Sequence, residues 1–477
     1  MFSWLILLPF LGVIILNLPF RALMRRAAFW LCVFIASVQV CAVVFPAVCL
    51  WMGKLDILGY ILKINFTLDN LSRVMLLCIG MVTFTAVFVE RQMRRDEDKF
   101  FNFLNLLLLL VAGLNGIVMV RDIFSLYVFL EIAAVSSFIL IGSNKDFAAF
   151  EGAFKYIVLS VVATVLMLSA IALFLIVAGD TGFSSISAAL KSSPDRFFVI
   201  LAIGMFLCAC FIKSGLMPFH GWVPDSYSSA PASVSILLAG IVTKAVGVYT
   251  LIRVVSAVFG FTPAIKSLLL AVGALSVVAG ALAALGQRDF KRMLAYSSIS
   301  QVGYIILGLG SGTALGVAGA VFHLFNHSVF KSLLFLNSAA VELETGTRDM
   351  ESLSGLNKRM PLTGITSVLA SLSCAGIPPL AGFWSKLIII IALWMCGQYF
   401  YACLAVAASV LTLAYFLSMQ RKIFFGKLGE GLENVKEAGF GLAFPAVLLA
   451  LVTVGAGLFL PLIIHVFIFP QGAIVGG

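Results

Sequence analysis

The chain has 477 residues, of which 62% are hydrophobic and only 11% charged, against about a quarter charged in an ordinary soluble domain. Mean hydropathy is +1.13, and no stretch is long and polar enough to form a soluble domain. The net charge of +10 therefore needs a membrane explanation and no nucleic-acid partner.

The N-terminal run MFSWLILLPFLGVIILNL lacks a basic leader and a small-residue cleavage site, and reads as a retained first span. Apolar runs of crossing length follow at about 28–51, 70–90, 101–120, 122–143, 154–178, 197–217, 232–257, 265–286, 292–310, 313–341, 362–396, 400–420 and 440–469. The expected class is an all-α polytopic membrane protein of about fourteen transmembrane helices. Pro218 and Pro224 interrupt the seventh run, and Pro378 and Pro379 the twelfth. Two broken helices five spans apart suggest two five-helix repeats of opposite topology, each with one discontinuous helix. The chain then divides into an N-terminal three-helix segment (1–100), a first repeat forming the input half-channel (101–260), an inverted second repeat forming the output half-channel (261–424) and a C-terminal helix (425–477).

Basic residues set the orientation. Odd-numbered connections hold 19 of the 31 Lys and Arg, even-numbered ones 8, and four lysines lie inside spans. The excess places the odd connections in the cytoplasm and both termini on the outer side of a cell inner membrane.

The intramembrane charges carry the functional reading. Lys213, Lys244 and Lys386 fall inside apolar segments, where insertion scales charge about 2.5–3.5 kcal/mol for each. Glu131 lies in LYVFLEIAAVSSFILIG and has Lys213 as its candidate partner. The pair reads as a static lock between helices or as one that opens and closes, shifting the proton affinity of Lys213. Lys244 has no acid within a helical turn, so it either snorkels to an interface or relays protons. His323, His327 and Lys331 are spaced four apart, along one drifting helical face, and imidazoles suit a relay. A metal held by the two histidines lacks an evident third ligand. Lys386 follows the Pro378-Pro379 break, where exposed carbonyls admit water. Ser371, Ser373, Ser385 and Thr243 are candidates to hold water between these groups.

The nine cysteines are scattered, and Cys208 with Cys210 is the only close pair. That spacing suits neither zinc nor an iron–sulfur cluster, so no redox centre or other cofactor is expected in this chain.

LMPFHGWVPDSYSSAPASVS, QRDFKRMLAYSSISQVGYI, FHLFNHSVFKSLLFL and AGIPPLAGFWSKL together resemble the antiporter-like subunits of respiratory complex I. The large subunits of Mrp-type sodium/proton antiporters and of membrane-bound hydrogenases share the pattern. The resemblance covers about residues 60 to 425 and implies a fourteen-helix fold with inverted repeats. It implies proton-translocation roles for Glu131 and Lys213 (input pair), Lys244 (centre), His323, His327 and Lys331 (link) and Lys386 (output). The expected function is a proton-translocating, non-redox subunit of a redox-driven pump, as in complex I or a membrane-bound hydrogenase. A Mrp-type sodium/proton antiporter subunit is the alternative. Expected partners are further antiporter-like membrane subunits and peripheral subunits carrying iron–sulfur clusters and flavin or nickel–iron.

Overall fold

A computed structural model of the protein describes residues 3–45, 66–94, 96–192 and 196–460. Lys54, Lys63 and Arg95 of the orientation count, Cys49, and the end of the last expected span lie outside the described residues. The described chain is helical, and its extended backbone pairs only at three isolated bridges. A helix satisfies its own backbone groups, which hydrocarbon cannot do.

In chain order the helices are α1 (Trp4–Leu16), α2 (Arg21–Val44), α3 (Asn70–Met93), α4 (Glu97–Met119), α5 (Ile123–Ile141) and α6 (Phe147–Ala178). Next come α7 (Phe183–Ser192), α8 (Arg196–Ser214), α9 (Trp222–Ser229), α10 (Ala232–Phe259), α11 (Pro263–Leu285) and α12 (Phe290–Gly310). The last are α13 (Ala314–Thr345), α14 (Pro361–Ala375), α15 (Ala381–Met395), α16 (Tyr399–Ile423) and α17 (Phe440–Leu458). Among the described residues, eleven helices are long and apolar enough to cross a membrane, and α1, α14 and α15 are shorter apolar ones. α13 is 32 residues long, yet falls outside both groups because His323, Asn326, His327 and Lys331 lower its hydropathy. It is buried along most of its length, so neighbouring helices rather than lipid surround those groups.

Polar caps start the helices sharply. Asp69, Asp122, Asp146 and Asp289 each accept a bond from the backbone N–H three residues on, at 2.6–2.9 Å; Thr262 and Thr313 do the same. Such a cap satisfies one of the four orphan donors at a helix start. The seventh and twelfth expected spans are broken as the prolines predict. α8 stops at Ser214 and α9 resumes at Trp222; α14 stops at Ala375 and α15 resumes at Ala381. Gly215 and Gly376 take positive φ at the two breaks, a conformation that a Cβ disfavours.

One structural pattern recurs at a spacing of 167 residues. Ile123 N–H donates to Thr181 and Phe183 N–H to Arg121; Phe290 N–H donates to Arg348 and Met350 N–H to Arg288. Each member of the second set is 167 positions after its counterpart in the first (123 to 290, 181 to 348, 183 to 350, 121 to 288). The 32-residue helices α6 and α13 are offset by the same amount, 147 to 314 and 178 to 345.

Three expectations about cations are corrected. Arg253, counted with the loops, lies inside α10, buried, and holds Asp69 through two bonds of 2.5 and 2.7 Å. Lys155 belongs to α6, where it pairs with Glu151 and Asp225. Lys291 and Arg292, counted with the odd connections, start α12 and pair with Glu342 and Asp225. In each case an acid distant in sequence compensates the charge.

Candidate ion pathway

The expected pairing of Glu131 with Lys213 is formed. α5 presents Glu131 and α8 presents Lys213, whose Nζ lies 3.3 Å from Glu131 Oε1. α6 lies beside both: Ser160 accepts a bond from Lys213 at 3.3 Å, and Thr164 donates to Glu131 at 2.6 Å. The lysine side chain is 3% exposed and the carboxylate 29%. One member of the pair is therefore enclosed, while the other faces outward near the exposed flank of α6, where Val161 and Val165 point away from the protein. A narrow cavity beside Lys213 is lined by Tyr156, Ser160, Lys213, Trp222 and Thr243. Thr243 is the chain neighbour of Lys244.

Lys244 sits in α10, the most enclosed of the eleven crossing helices among the described residues. The apolar window of α10 is fully buried, and Lys244 is 0% exposed, so snorkelling to an interface does not occur. The helix widens here into π-helical turns at Leu238–Val242 and Lys244–Tyr249. Thr243 and Thr250 accordingly bond to carbonyls five residues back. Such bulges interrupt regular packing and are frequent at functional sites. Gly247 permits the close approach of Ser214, since a Cβ there would meet the Ser214 Cα at 2.5 Å. Lys244 Nζ has no hydrogen-bond partner among the described residues.

α13 carries the next groups. Lys244 and Lys331 both lie within electrostatic reach of His327. Lys331 bonds to the Leu294 carbonyl at 3.2 Å and to the Ser297 hydroxyl, and stands over the Phe416 ring. The His323 and His327 ring centres are 6.4 Å apart. His323 Nδ1 pairs with Ser385 Oγ at 2.8 Å, linking α13 to α15. On α15, Lys386 donates to the Ala375 carbonyl at 3.4 Å across the helix break. Its Nζ stands 4.4 Å from the Tyr304 ring centre, a cation–π geometry. Among the described residues no acid pairs with Lys244, Lys331 or Lys386.

The structure thus brings the seven expected residues into one series, half-buried Glu131 with buried Lys213, then the buried Lys244, Lys331, His327, His323 and Lys386. Of the expected water-holding residues, Ser385 joins His323, Thr243 bonds to Tyr227, and Ser371 accepts from Gln420. Ser160, Thr164, Tyr304 and Ser297 were missed by sequence reasoning, because hydroxyls in apolar helices are common and carry no signal of their own. The 167-residue spacing would have found two of them. Tyr156, Ser160 and Thr164 on α6 stand where His323, His327 and Lys331 stand on α13 (323 − 156, 327 − 160 and 331 − 164 are each 167). No group of three or more His, Cys, Asp or Glu residues suited to a metal occurs among the described residues.

The transmembrane family model described as NADH:quinone oxidoreductase/Mrp antiporter matches residues 120–412, the segment that holds every residue of this series. The chain belongs to that family. It is 32% identical over 393 residues to a Na(+)/H(+) antiporter subunit of Alkalihalophilus pseudofirmus, covering 82% of this chain and 79% of the relative. It is also 32% identical over 391 residues to an NADH-quinone oxidoreductase subunit of Desulforudis audaxviator, covering 80% and 77%. A solved Mrp complex from a Dietzia species contains a chain of the same fold, with a TM-score of 0.86 and 26% identity, covering 97% of this chain and 95% of that one. This protein is an antiporter-like membrane subunit of the kind found in such multisubunit complexes.

Proposed function

We propose that this chain moves protons across a cell inner membrane along the series Glu131, Lys213, Lys244, Lys331, His327, His323, Lys386, as the ion-translocating subunit of a redox-driven pump. The observation that carries the reading is the set of four lysines, each 6% exposed or less, held inside membrane helices. Only the outermost, Lys213, has a carboxylate partner among the described residues. A buried ammonium is costly, and a chain of them with hydroxyl, imidazole and carbonyl neighbours suits stepwise proton exchange.

Glu131 closes on Lys213 and holds its proton. When a charge change in a neighbouring protein of the complex pulls Glu131 away, Lys213 releases the proton inward past Thr243 to Lys244. Lys331 and the histidines pass it to Lys386 at the second helix break. The matching bonds at a 167-residue spacing support a layout of two inverted five-helix repeats within about fourteen crossings, with termini outside. Electron carriers, as iron–sulfur, flavin or nickel–iron centres, belong to partner subunits. Relatedness to a quinone oxidoreductase subunit supports the redox drive. Similarity to a sodium/proton antiporter subunit supports the second reading, in which a sodium gradient replaces it.

Purification of the intact complex from native membranes in mild detergent, with mass spectrometry of all co-migrating chains, separates the two. Iron–sulfur, flavin or nickel–iron proteins in the complex establish the redox pump. Small hydrophobic partners alone establish the antiporter.

A further inference from the structure

A polar cleft of about 590 Å³ opens on the face formed by the odd-numbered connections. Glu90, Arg94, Asp96, Lys291, Glu342 and Arg348 are among its lining residues. Its walls descend to Lys291, itself 2% exposed, whose Nζ lies 2.8 Å from Glu342 Oε2. Arg348 approaches the same carboxylate at 3.7 Å and Asp289 at 3.3 Å.

The pair lies on the Lys331 face of α13, with Glu342 about 16 Å further along the axis toward the odd connections. On α13, Ser338 and Glu342 follow Lys331 by seven and eleven residues, spacings that return to one face of a helix. On α12, the two groups that hold Lys331, the Leu294 carbonyl and the Ser297 hydroxyl, come three and six residues after Lys291. That is about 5–9 Å along the axis. Between the pair and Lys331, on the same helix face, lies an enclosed polar atom with no protein partner among the described residues, Ser338 Oγ. Ser338 is 1% exposed. Buried polar groups without protein partners are satisfied by water.

We propose that the Lys291–Glu342 pair is the proton entry of the second half of the protein, delivering protons from the odd-connection face to Lys331. This rests on the translocation role of Lys331 proposed above. A hydronium ion gives its proton to the Glu342 carboxylate, leaving water and a neutral carboxylic acid. The ion pair with Lys291 then opens. The acid passes the proton along water held by Ser338 to the neutral Lys331 amine, which becomes ammonium. The regenerated carboxylate closes again on Lys291. Arg348, shared between Glu342 and Asp289, holds the open carboxylate at the cleft.

The test uses the intact complex reconstituted into vesicles, with the double variant Lys291→Met/Glu342→Leu. An apolar pair of similar volume preserves helix packing but cannot carry a proton. The expected result is normal assembly with translocation reduced at least about tenfold, and recovery of most of the rate in the single variant Glu342→Asp. Full-rate translocation by the assembled double variant overturns the proposal. A Lys331→Ala control run in parallel separates the two readings. If Lys331→Ala is also silent, the role of Lys331 itself fails; if Lys331→Ala abolishes transport and the double variant does not, only the entry fails. Should the double variant not assemble, Ser338→Cys serves instead. Faster labelling of that cysteine by a small charged thiol reagent from the odd-connection face than from the other supports the entry, and equal or reversed labelling overturns it.

Discussion

Replacing Lys213 by alanine removes the enclosed member of the proposed input pair and leaves Glu131 with Thr164 as its remaining bonded partner among the described residues. Two opposite charges 3.3 Å apart attract by about 5 kcal/mol at an effective dielectric near 20. Glu131 is 29% exposed, so screening reduces this to roughly 2–3 kcal/mol. That bias favours the closed pair by roughly a hundredfold, which is large enough to hold the proton at rest and small enough for a nearby charge change to release. Lys213→Ala abolishes both the hold and the release. The expected outcome is a complex that assembles normally and turns over its driving reaction without moving protons. The measurement is quenching of a pH-sensitive dye by reconstituted vesicles, alongside the driving reaction rate in the same preparation. Proton uptake at the wild-type rate in an assembled Lys213→Ala complex would refute the reasoning. Uncoupled turnover with no acidification is what it requires.

Lys244→Met removes a buried charge that has no hydrogen-bond partner among the described residues, relieving a penalty of about 1–3 kcal/mol. Translocation is lost while the melting temperature of the complex holds or rises; a marked fall in melting temperature would show that Nζ is satisfied after all. Gly382→Ala sets a Cβ 2.7 Å from the Ser373 carbonyl carbon at the α14–α15 break. Overpacking of this kind costs about 1–3 kcal/mol, so thermal stability falls and the Lys386 geometry is disturbed; an unchanged melting temperature contradicts the close approach. Asp69→Asn keeps the cap on Ser72, because asparagine caps as well as aspartate, but removes the charge facing Arg253. Burial opposes ionisation of Asp69, yet the bonds and charge of Arg253, with Arg121 nearby, outweigh it and hold the carboxyl well below the usual range. A depressed native value gives a contribution present above the unfolded value near 3.9 and lost as pH falls through the native one. The variant therefore melts below wild type throughout pH 5–8, and the gap closes only in strong acid. A gap that closes already between pH 7 and 5 would identify another group as its source.

Composition and periodicity alone determined that this is a membrane protein of many helices, because twenty-residue apolar runs admit few other outcomes. The prolines determined where two helices break, since a proline supplies no N–H and crowds the preceding turn. The intramembrane Glu131, Lys213, Lys244, His323, His327, Lys331 and Lys386 were legible one by one, each being expensive where it stands. The tertiary structure decided how these charges meet. Lys213 reaches Glu131 across 82 positions, and His323 reaches Ser385 across 62, pairings set by how separate helices pack. The π-helical turns around Lys244 left no composition signal and show only in the folded chain, where Gly247 packs closely against Ser214. The loop count misplaced Arg253, Lys155 and Lys291 for the same reason. A cation near a span end reads as solvated until a distant acid, such as Asp69, Asp225 or Glu342, is brought against it, and only the folded chain fixes that meeting.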